Sequence, residues 1–579
     1  MKKYLKKGWR LFRDCQIFLF QGIQKTLFKK YLKVFFSIAS SHLTNFQIRL
    51  IQMSENKHTQ CQNLQKQIKG LHALLPDSSK FTYSILINLD NPSPRLLKSC
   101  LSSACMQTAP IFEILLGSKN QLSSEIVRVI DTFKDLPPER IKVFDFSFQE
   151  DLSYNLLAKE ASGHYLFFLN QHDWIRPDIL YRYEQRLRTC SNSENLAINC
   201  FEDRITENEY FIPGIGKKKP PLYFPYIFQP PFNLKGMLIS KKIWEKTKGL
   251  NKNYPGVEEE DLILRLNLAG ATITTLPFCL YTTREKIQKV EAPPNRSIFM
   301  ESLKEYAQQK HLNWDFEPGY REDSIRAIPQ INCIHKIQII VPFKEQKELT
   351  LRCMESIKKQ KGMEYRVTAV DNGSQDLSIG EEIKRLGGEV LRFEEPFNYS
   401  RLNNLAVNYS KTAQDCDLIL FLNNDVELDE NALMEMTRWI DQPSIGIVGA
   451  RLHYPDGLLQ HGGVMRNINY LPENMGWEHI ENRHTFEEMK ETKIHAVVDA
   501  VTAACALIKK ENFLKVGGFD EIWFPIAFSD TSLAVKLKKL GLHSFYTPYA
   551  FGTHHESISR KKSLEDVEGS AWMHKLILE

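Results

Sequence analysis

One pattern constrains this chain more than any other: the same order of apolar runs and helical patterns occurs twice. From Phe81, a strand-like Ser84 to Ile87 is followed by a helical pattern from Leu96 to Cys105. Strand-like runs then come at Ile111 to Leu116, Ile141 to Phe144 and Tyr165 to Leu169. From Ile337 the order returns, with Ile337 to Val341, a helix over Leu349 to Lys359, then Arg366 to Val370, Val390 to Phe393 and Leu418 to Leu422. Strands separated by a helix's worth of chain join in parallel, because tight hairpins connect only antiparallel neighbours. The spacing predicts α/β architecture built from βαβ units, and the recurrence predicts two copies of one fold.

Length agrees, since 579 residues exceed what one hydrophobic core usually sustains. The expected division is a basic helical segment and linker at 1–80, a first copy at 81–286, a linker with one helix at 287–334, a second copy at 335–565 and a tail at 566–579. The linker carries Pro293, Pro294, Pro318 and Pro329, with its helix around Met300 to Lys310. Apolar residues at 42% and charged residues at 25% are ordinary for a globular protein and exclude a disordered scaffold.

The net charge of +5 is mild, but its basic excess lies at the N-terminus. Ten lysines and arginines from Lys2 to Lys33 mix there with Trp9, Phe12, Phe18, Phe20, Phe28, Phe35 and Phe36, and Asp14 is the lone acid before Glu55. Two readings fit: a helix lying on an anionic membrane surface, or a helix packed on the protein's own body. No basic repeat points to nucleic acid. No apolar run nears the ~20 residues that span a bilayer, and no cleavage site follows Ile17 to Phe20, so neither a transmembrane helix nor a signal peptide is expected. The eleven cysteines lack a C-x-x-C pair or zinc spacing and read as reduced thiols of the cytoplasm.

Open α/β sheets bind ligands beyond the carboxyl ends of their strands, which directs attention to the residues after each apolar run. In the second copy Val367 to Val370 leads into Asp371-Asn372-Gly373-Ser374, Leu418 to Leu422 leads into Asn423-Asn424-Asp425, and a later segment ends at Ser529-Asp530. A single acid at such a place is as readily a turn or a helix cap. Three in one repeated framework point to a site.

With VDNGSQD, PFNYSRLNNLA, LILFLNNDVEL, VTAACALIKKENFLKVGGFDE, FPIAFSDTSLAVKLKKLGL and YTPYAFGTHHES in this order, the second copy resembles a bacterial family 2 glycosyltransferase of the GT-A fold. It is similar to rhamnosyltransferase-like enzymes of surface polysaccharide synthesis. The resemblance implies two tandem GT-A domains, Rossmann-like with mostly parallel sheets. It implies an inverting transfer of a sugar from a nucleotide-sugar to a hydroxyl of a lipid-linked surface glycan, in the cytoplasm or on the inner face of its membrane.

By the same resemblance Asp530 is the general base, and Ser529 and Ser532 replace acids usual in the family. Asp371 meets base or ribose, Pro342 lies against the nucleotide, and Asn424 with Asp425 stands where the family has D-x-D. Asp425 is then the ligand of Mg²⁺ or Mn²⁺, with His555 or its neighbour His554 as a second ligand. Arg401 is a candidate for the diphosphate, or else a surface cation. His461 either binds substrate or braces its loop. The first copy has Ser118 where Asp371 stands, a diluted Asn170-Gln171-His172-Asp173, and Glu259 where the base would be, and reads as degenerate. Sugar nucleotidyltransferases need a glycine-rich loop after the first strand, which Val341-Pro342-Phe343-Lys344 lacks. A non-catalytic glycan-binding module is the remaining alternative.

Overall fold

A computed structural model describes residues 81–107, 109, 111–133, 141–206, 232–285, 295–322, 324–468, 475–479 and 490–555. The basic segment before residue 81 and the tail at 566–579 lie outside them.

The first domain is one eight-stranded sheet. Its strands are β1 (Tyr83–Leu89), β2 (Glu113–Ser118), β3 (Ile141–Asp145), β4 (Tyr165–Phe168), β5 (Trp174–Ile175), β6 (Leu196–Thr206), β7 (Leu238–Ser240) and β8 (Thr272–Glu285), in the order β3-β2-β1-β4-β7-β6-β8-β5. A hairpin of β9 (Trp314–Pro318) and β10 (Ile325–Pro329) follows. The second domain is built from β11 (Lys336–Phe343), β12 (Glu364–Asp371), β13 (Glu389–Arg392), β14 (Leu418–Leu422), β15 (Val426–Leu428), β16 (Ile445–His453), β17 (Leu459–His461), β18 (Val464–Ile468), β19 (Met475–His479), β20 (Ala496–Val498), β21 (Cys505–Lys509) and β22 (His543–His554). Its main sheet runs β13-β12-β11-β14-β21-β16-β22-β15.

The two orders are the same strand for strand. The senses agree too: β1 is parallel to β2 and β4 and β11 to β12 and β14, while β4 is antiparallel to β7 as β14 is to β21. This is the duplicated α/β architecture that the recurrence predicted. The central strands are buried on both faces, which is why Leu418–Leu422 reads as an unbroken apolar run and Ile337–Val341 as one interrupted by Gln338 alone, a buried amide that donates to Thr368 Oγ1 at 3.1 Å. The short antiparallel strands were not foreseen, because two or three residues carry too little periodicity to be recognised.

Between the domains the helix Arg296–Gln309 was anticipated, and the hairpin β9–β10 is an addition to it. This module is tied to both sides. Ser302 Oγ donates to Asp261 (2.8 Å) and Tyr306 Oη to Asn267 (2.7 Å) on the first domain. On the second, Arg326 pairs with the buried Glu435 at 2.7 Å, Arg438 donates to Pro329 O at 3.0 Å, and Trp314 stands edge-on to Trp439. Phe299, Leu303, Phe316, Ile325 and Ala327 join one apolar cluster with residues of both sheets. Among the described residues no helix is long and apolar enough to cross a membrane.

Glu260, in the helix Glu258–Leu268, is buried, and burial with the adjacent charges of Glu259 and Glu258 pushes its carboxyl up to about 8. An acid whose folded pKa exceeds its unfolded value stabilises the fold below the unfolded value, about 4.3, and loses that contribution as pH rises through about 8. Wild-type protein should therefore lose melting temperature between pH 5 and 8.5 more steeply than Glu260→Gln in parallel thermal melts. Equal slopes would clear Glu260 of the effect.

Candidate functional site

The carboxyl ends of β11, β12 and β14 meet at one edge of the second sheet. Pro342 is buried there, beyond Ile340, the last rung of the β11–β14 ladder, where a missing N–H is tolerated. Its neighbour Phe343 stands in register with Asp371, the last residue of β12.

Asp371 is 5% exposed. One carboxylate oxygen accepts from Ser374 N (2.8 Å), and the other is held by Arg392, directly opposite on β13. Arg392 also donates to Ser374 O (3.1 Å) and Glu394 (2.8 Å). Asp371 thus sits in a small polar cluster at the carboxyl end of β12. Arg392 escaped the sequence reading, since an arginine at a strand end carries no signal until its register with Asp371 is known.

After β14 the chain turns through Asn423-Asn424-Asp425. Asn424 donates to Thr350 Oγ1 at 2.9 Å, and Cys353 Sγ donates to Asn423 O at 3.5 Å, both from the helix Lys347–Lys358. Asp425 Oδ1 is buried without a hydrogen bond from the described residues and stands 3.1 Å from His554 Nε2. The imidazole beside Asp425 is thus His554, and His555 turns away to Glu427 at 2.7 Å. Of the two histidines named for this place, His554 and not His555 stands beside Asp425. Successive side chains of a strand point to opposite faces, and the pairing of His554 with Val426 sends His554 inward.

Asp530 is the second residue of the helix Ser529–Lys539. Oδ2 accepts from Ala503 N (3.3 Å), and Oδ1 accepts from Thr531 N (2.7 Å) and Oγ1 (3.2 Å). The helix begins from Phe528 in the left-handed region at φ 58°, a conformation that non-glycine residues hold only when their surroundings impose it. Ser529 and Ser532 are buried, with hydroxyls turned to the backbone, so neither replaces the missing acids.

The segment Thr502–Ala504 ties these pieces together. Thr502 N donates to His461 Nε2 (3.3 Å), Ala503 N to Asp530, Tyr399 Oη to Ala503 O (2.9 Å) and Asn423 N to Ala504 O (3.0 Å). His461 is fully buried. Burial above all, and next the charge of Asp530, push the Tyr399 phenol well above its usual range. Tyr399 lay inside a recognised motif without being singled out.

Arg401 does not stand free for a diphosphate. Its guanidinium is engaged by Glu395, and by Glu521 at 3.2 Å, and Glu521 also accepts from Asn404 (2.8 Å). It buttresses the loop that leads into Ser529.

In the first domain Ser118 ends β2 in register with Leu89, as Asp371 does with Phe343. Asp173, before β5, is 3% exposed and accepts from Tyr281 Oη (2.9 Å) and Arg284 N (2.8 Å), and burial raises its carboxyl to about 6. Glu259, at the place of Asp530, accepts from Leu234 N at 2.8 Å. Its helix starts from Val257 at φ −139°, without the left-handed turn.

Residues 338–517 match the family model described as Glycosyl transferase family 2. The chain is 26% identical over 505 residues to the O-antigen biosynthesis protein RfbC of Myxococcus xanthus, covering 83% of this chain and 38% of that protein. It is also 26% identical over 152 residues to the N-acetylglucosaminyl-diphospho-decaprenol L-rhamnosyltransferase of Mycobacterium tuberculosis, 25% of this chain and 48% of that one. Among solved structures it is similar to a mannosyltransferase from Pyrobaculum calidifontis in complex with GDP-Man and Mn²⁺, at a TM-score of 0.30 and 15% identity over 44% of this chain and 65% of the other. The chain spans about half or less of the length of the curated relatives that it matches over most of its own, 53% and 38%.

Tyr399→Phe removes the donor to Ala503 O without changing the ring. Leaving a buried carbonyl short of its partner costs about 1–3 kcal/mol. Urea unfolding should show a loss of that order. An unchanged midpoint would mean that Thr502–Ala504 does not depend on this bond.

Proposed function

From a second domain whose residues 338–517 match the model of glycosyltransferase family 2, we propose that this chain moves a sugar from a nucleotide-sugar to a hydroxyl of a growing surface glycan, with inversion at the anomeric carbon. The observation that carries this reading is that the segment Thr502–Ala504 bonds both Asp530, at a helix start, and Asn423, two residues before Asp425 and its imidazole partner His554. The rhamnosyltransferase and the O-antigen biosynthesis protein among its relatives support a polysaccharide-building role.

Asp530 is the general base. Each of its oxygens accepts at least one hydrogen bond, and a carboxylate has about four acceptor sites, so room remains for an acceptor hydroxyl. As the hydroxyl oxygen bonds to the anomeric carbon, Asp530 takes the proton. The bond from that carbon to the diphosphate oxygen breaks on the opposite face, and the nucleoside diphosphate leaves with the electron pair. A carboxylate in the first turn is also favourably placed on the helix dipole.

Asp371, with Arg392 beside it, accepts hydrogen bonds from base or ribose. The unsatisfied Asp425 Oδ1 and the imidazole of His554 fit a divalent cation such as Mg²⁺ or Mn²⁺. Such an ion, when bound, neutralises the charge of the departing diphosphate.

The first domain holds no donor on this reading, since its Asp173 is consumed by internal hydrogen bonds and Ser118 offers no carboxylate. It serves to position the acceptor or to support the second domain. A lipid-linked acceptor at the inner face of the cytoplasmic membrane accords with the basic, aromatic N-terminal segment of the sequence.

Purified chain should release nucleoside diphosphate from one donor of a nucleotide-sugar panel when Mg²⁺ or Mn²⁺ and a glycan acceptor are supplied. Asp530→Asn should lower turnover at least about 100-fold while still binding donor. Asp425→Ala should lose metal-dependent donor binding itself. If no donor binds in the presence of metal and neither substitution changes anything, the transferase reading fails and a glycan-binding module takes its place.

A further inference from the structure

At the opposite ends of the same parallel strands, a second group of metal-ligating side chains gathers where the bridging module enters the second domain. Cys333 Sγ lies 3.0 Å from His335 Nε2 and 3.2 Å from Asp441 Oδ2, and His335 Nε2 lies 2.7 Å from that same oxygen. The three donor atoms face one another within 4.8 Å. Cys333 and His335 come from the segment just before β11, and Asp441 caps the helix Ala432–Ile440.

Their surroundings are arranged as around a metal. His335 is buried, and its other nitrogen, Nδ1, bonds the carboxylate of Asp417, which also accepts from Lys336 N at 2.8 Å. A carboxylate on the far ring nitrogen is the usual partner of a metal-binding histidine, because it fixes the tautomer and aims the free lone pair. Lys509 occupies Asp441 Oδ1 at 2.8 Å and leaves Oδ2 turned to Cys333 and His335. A cavity of about 310 Å³, lined by Ile331 to His335 and Gly362 to Glu364, opens beside Cys333 and leaves room for a water as fourth ligand.

We propose that Cys333, His335 and Asp441 form a structural site for a zinc-like divalent ion, distinct from the carboxylates of the candidate active site. Sulfur, imidazole and one carboxylate oxygen make a borderline-soft donor set that suits Zn²⁺ and not Mg²⁺ or Ca²⁺. Zn–S of about 2.3 Å and Zn–N of about 2.0 Å require ligand atoms roughly 3.5 Å apart, so the donors separate by a few tenths of an ångström as the ion replaces the protons that they share. The bound ion pins the strap from Ile331 to His335 onto the body of the second domain.

Cobalt reports the site without reference to transfer activity. Full-length chain, stripped with a chelator and kept reduced, should take up Co²⁺ with a thiolate-to-metal charge-transfer band that Zn²⁺ abolishes by displacement. Cys333→Ser should lose the band while keeping its far-ultraviolet circular dichroism, and Asp425→Ala should keep it. Asp417→Asn, acting through His335, should retain the band but weaken binding about 10- to 100-fold. Absence of the band in wild-type protein, or its persistence in Cys333→Ser, would overturn the proposal.

Discussion

The candidate site rests on one constraint: the backbone of Thr502–Ala504, buried at Ala503 and Ala504, is irregular and has no ladder of its own to satisfy it. Buried N–H and C=O groups must find partners, and here they find the side chains and backbone of the site. Ala503 N takes Asp530, Ala503 O takes Tyr399, Ala504 O takes Asn423 N, and Thr502 N takes His461. One loop thereby sets the positions of four segments that are distant in sequence. Close packing reinforces it. A Cβ on Gly449 would come within 2.6 Å of Val501 side-chain atoms, so β16 can pass beneath the loop only with glycine at that position.

Duplication makes the chemistry of the second domain easier to read, because the first domain is its internal control. The same sheet order and strand senses hold in both, so differences at the strand ends reflect side chains and local backbone. Where one copy keeps Asp371, an unsatisfied Asp425 and the left-handed Phe528, the other has Ser118, a hydrogen-bonded Asp173 and an unstrained Val257. At this helix start the left-handed backbone is held in the copy that retains the acids and not in the other, although the first domain holds left-handed residues elsewhere, at Asn91 and Lys248.

The bridging module changes the meaning of the proline-rich stretch between the copies. Pro318 and Pro329 end β9 and β10, and the hairpin presses Trp314 against Trp439 while Arg326 reaches Glu435. Pairing of a buried glutamate with an arginine is favourable only when geometry and further hydrogen bonds offset the loss of water. Here Arg438 at 3.1 Å supplies a second partner. The strap that follows, from Ile331 to His335, leads directly into the central strand β11.

By itself the sequence determined the repeated α/β order, the burial of the central strands and the acids at their carboxyl ends, because these follow from periodicity and from the place where open sheets bind ligands. Helix boundaries fell within a few residues of expectation, as at Pro94–Cys105 and Lys347–Lys358. Tertiary structure alone decided which groups meet. Register put Arg392 opposite Asp371, strand alternation turned His554 and not His555 toward Asp425, and the Glu395 and Glu521 carboxylates took up Arg401. Cys333, His335, Asp417 and Asp441 show no metal-binding spacing along the chain, because more than 80 residues separate Asp417 from His335 and more than 100 separate Asp441 from Cys333. Only the meeting of the strap, the start of β14 and the end of a helix brings them together.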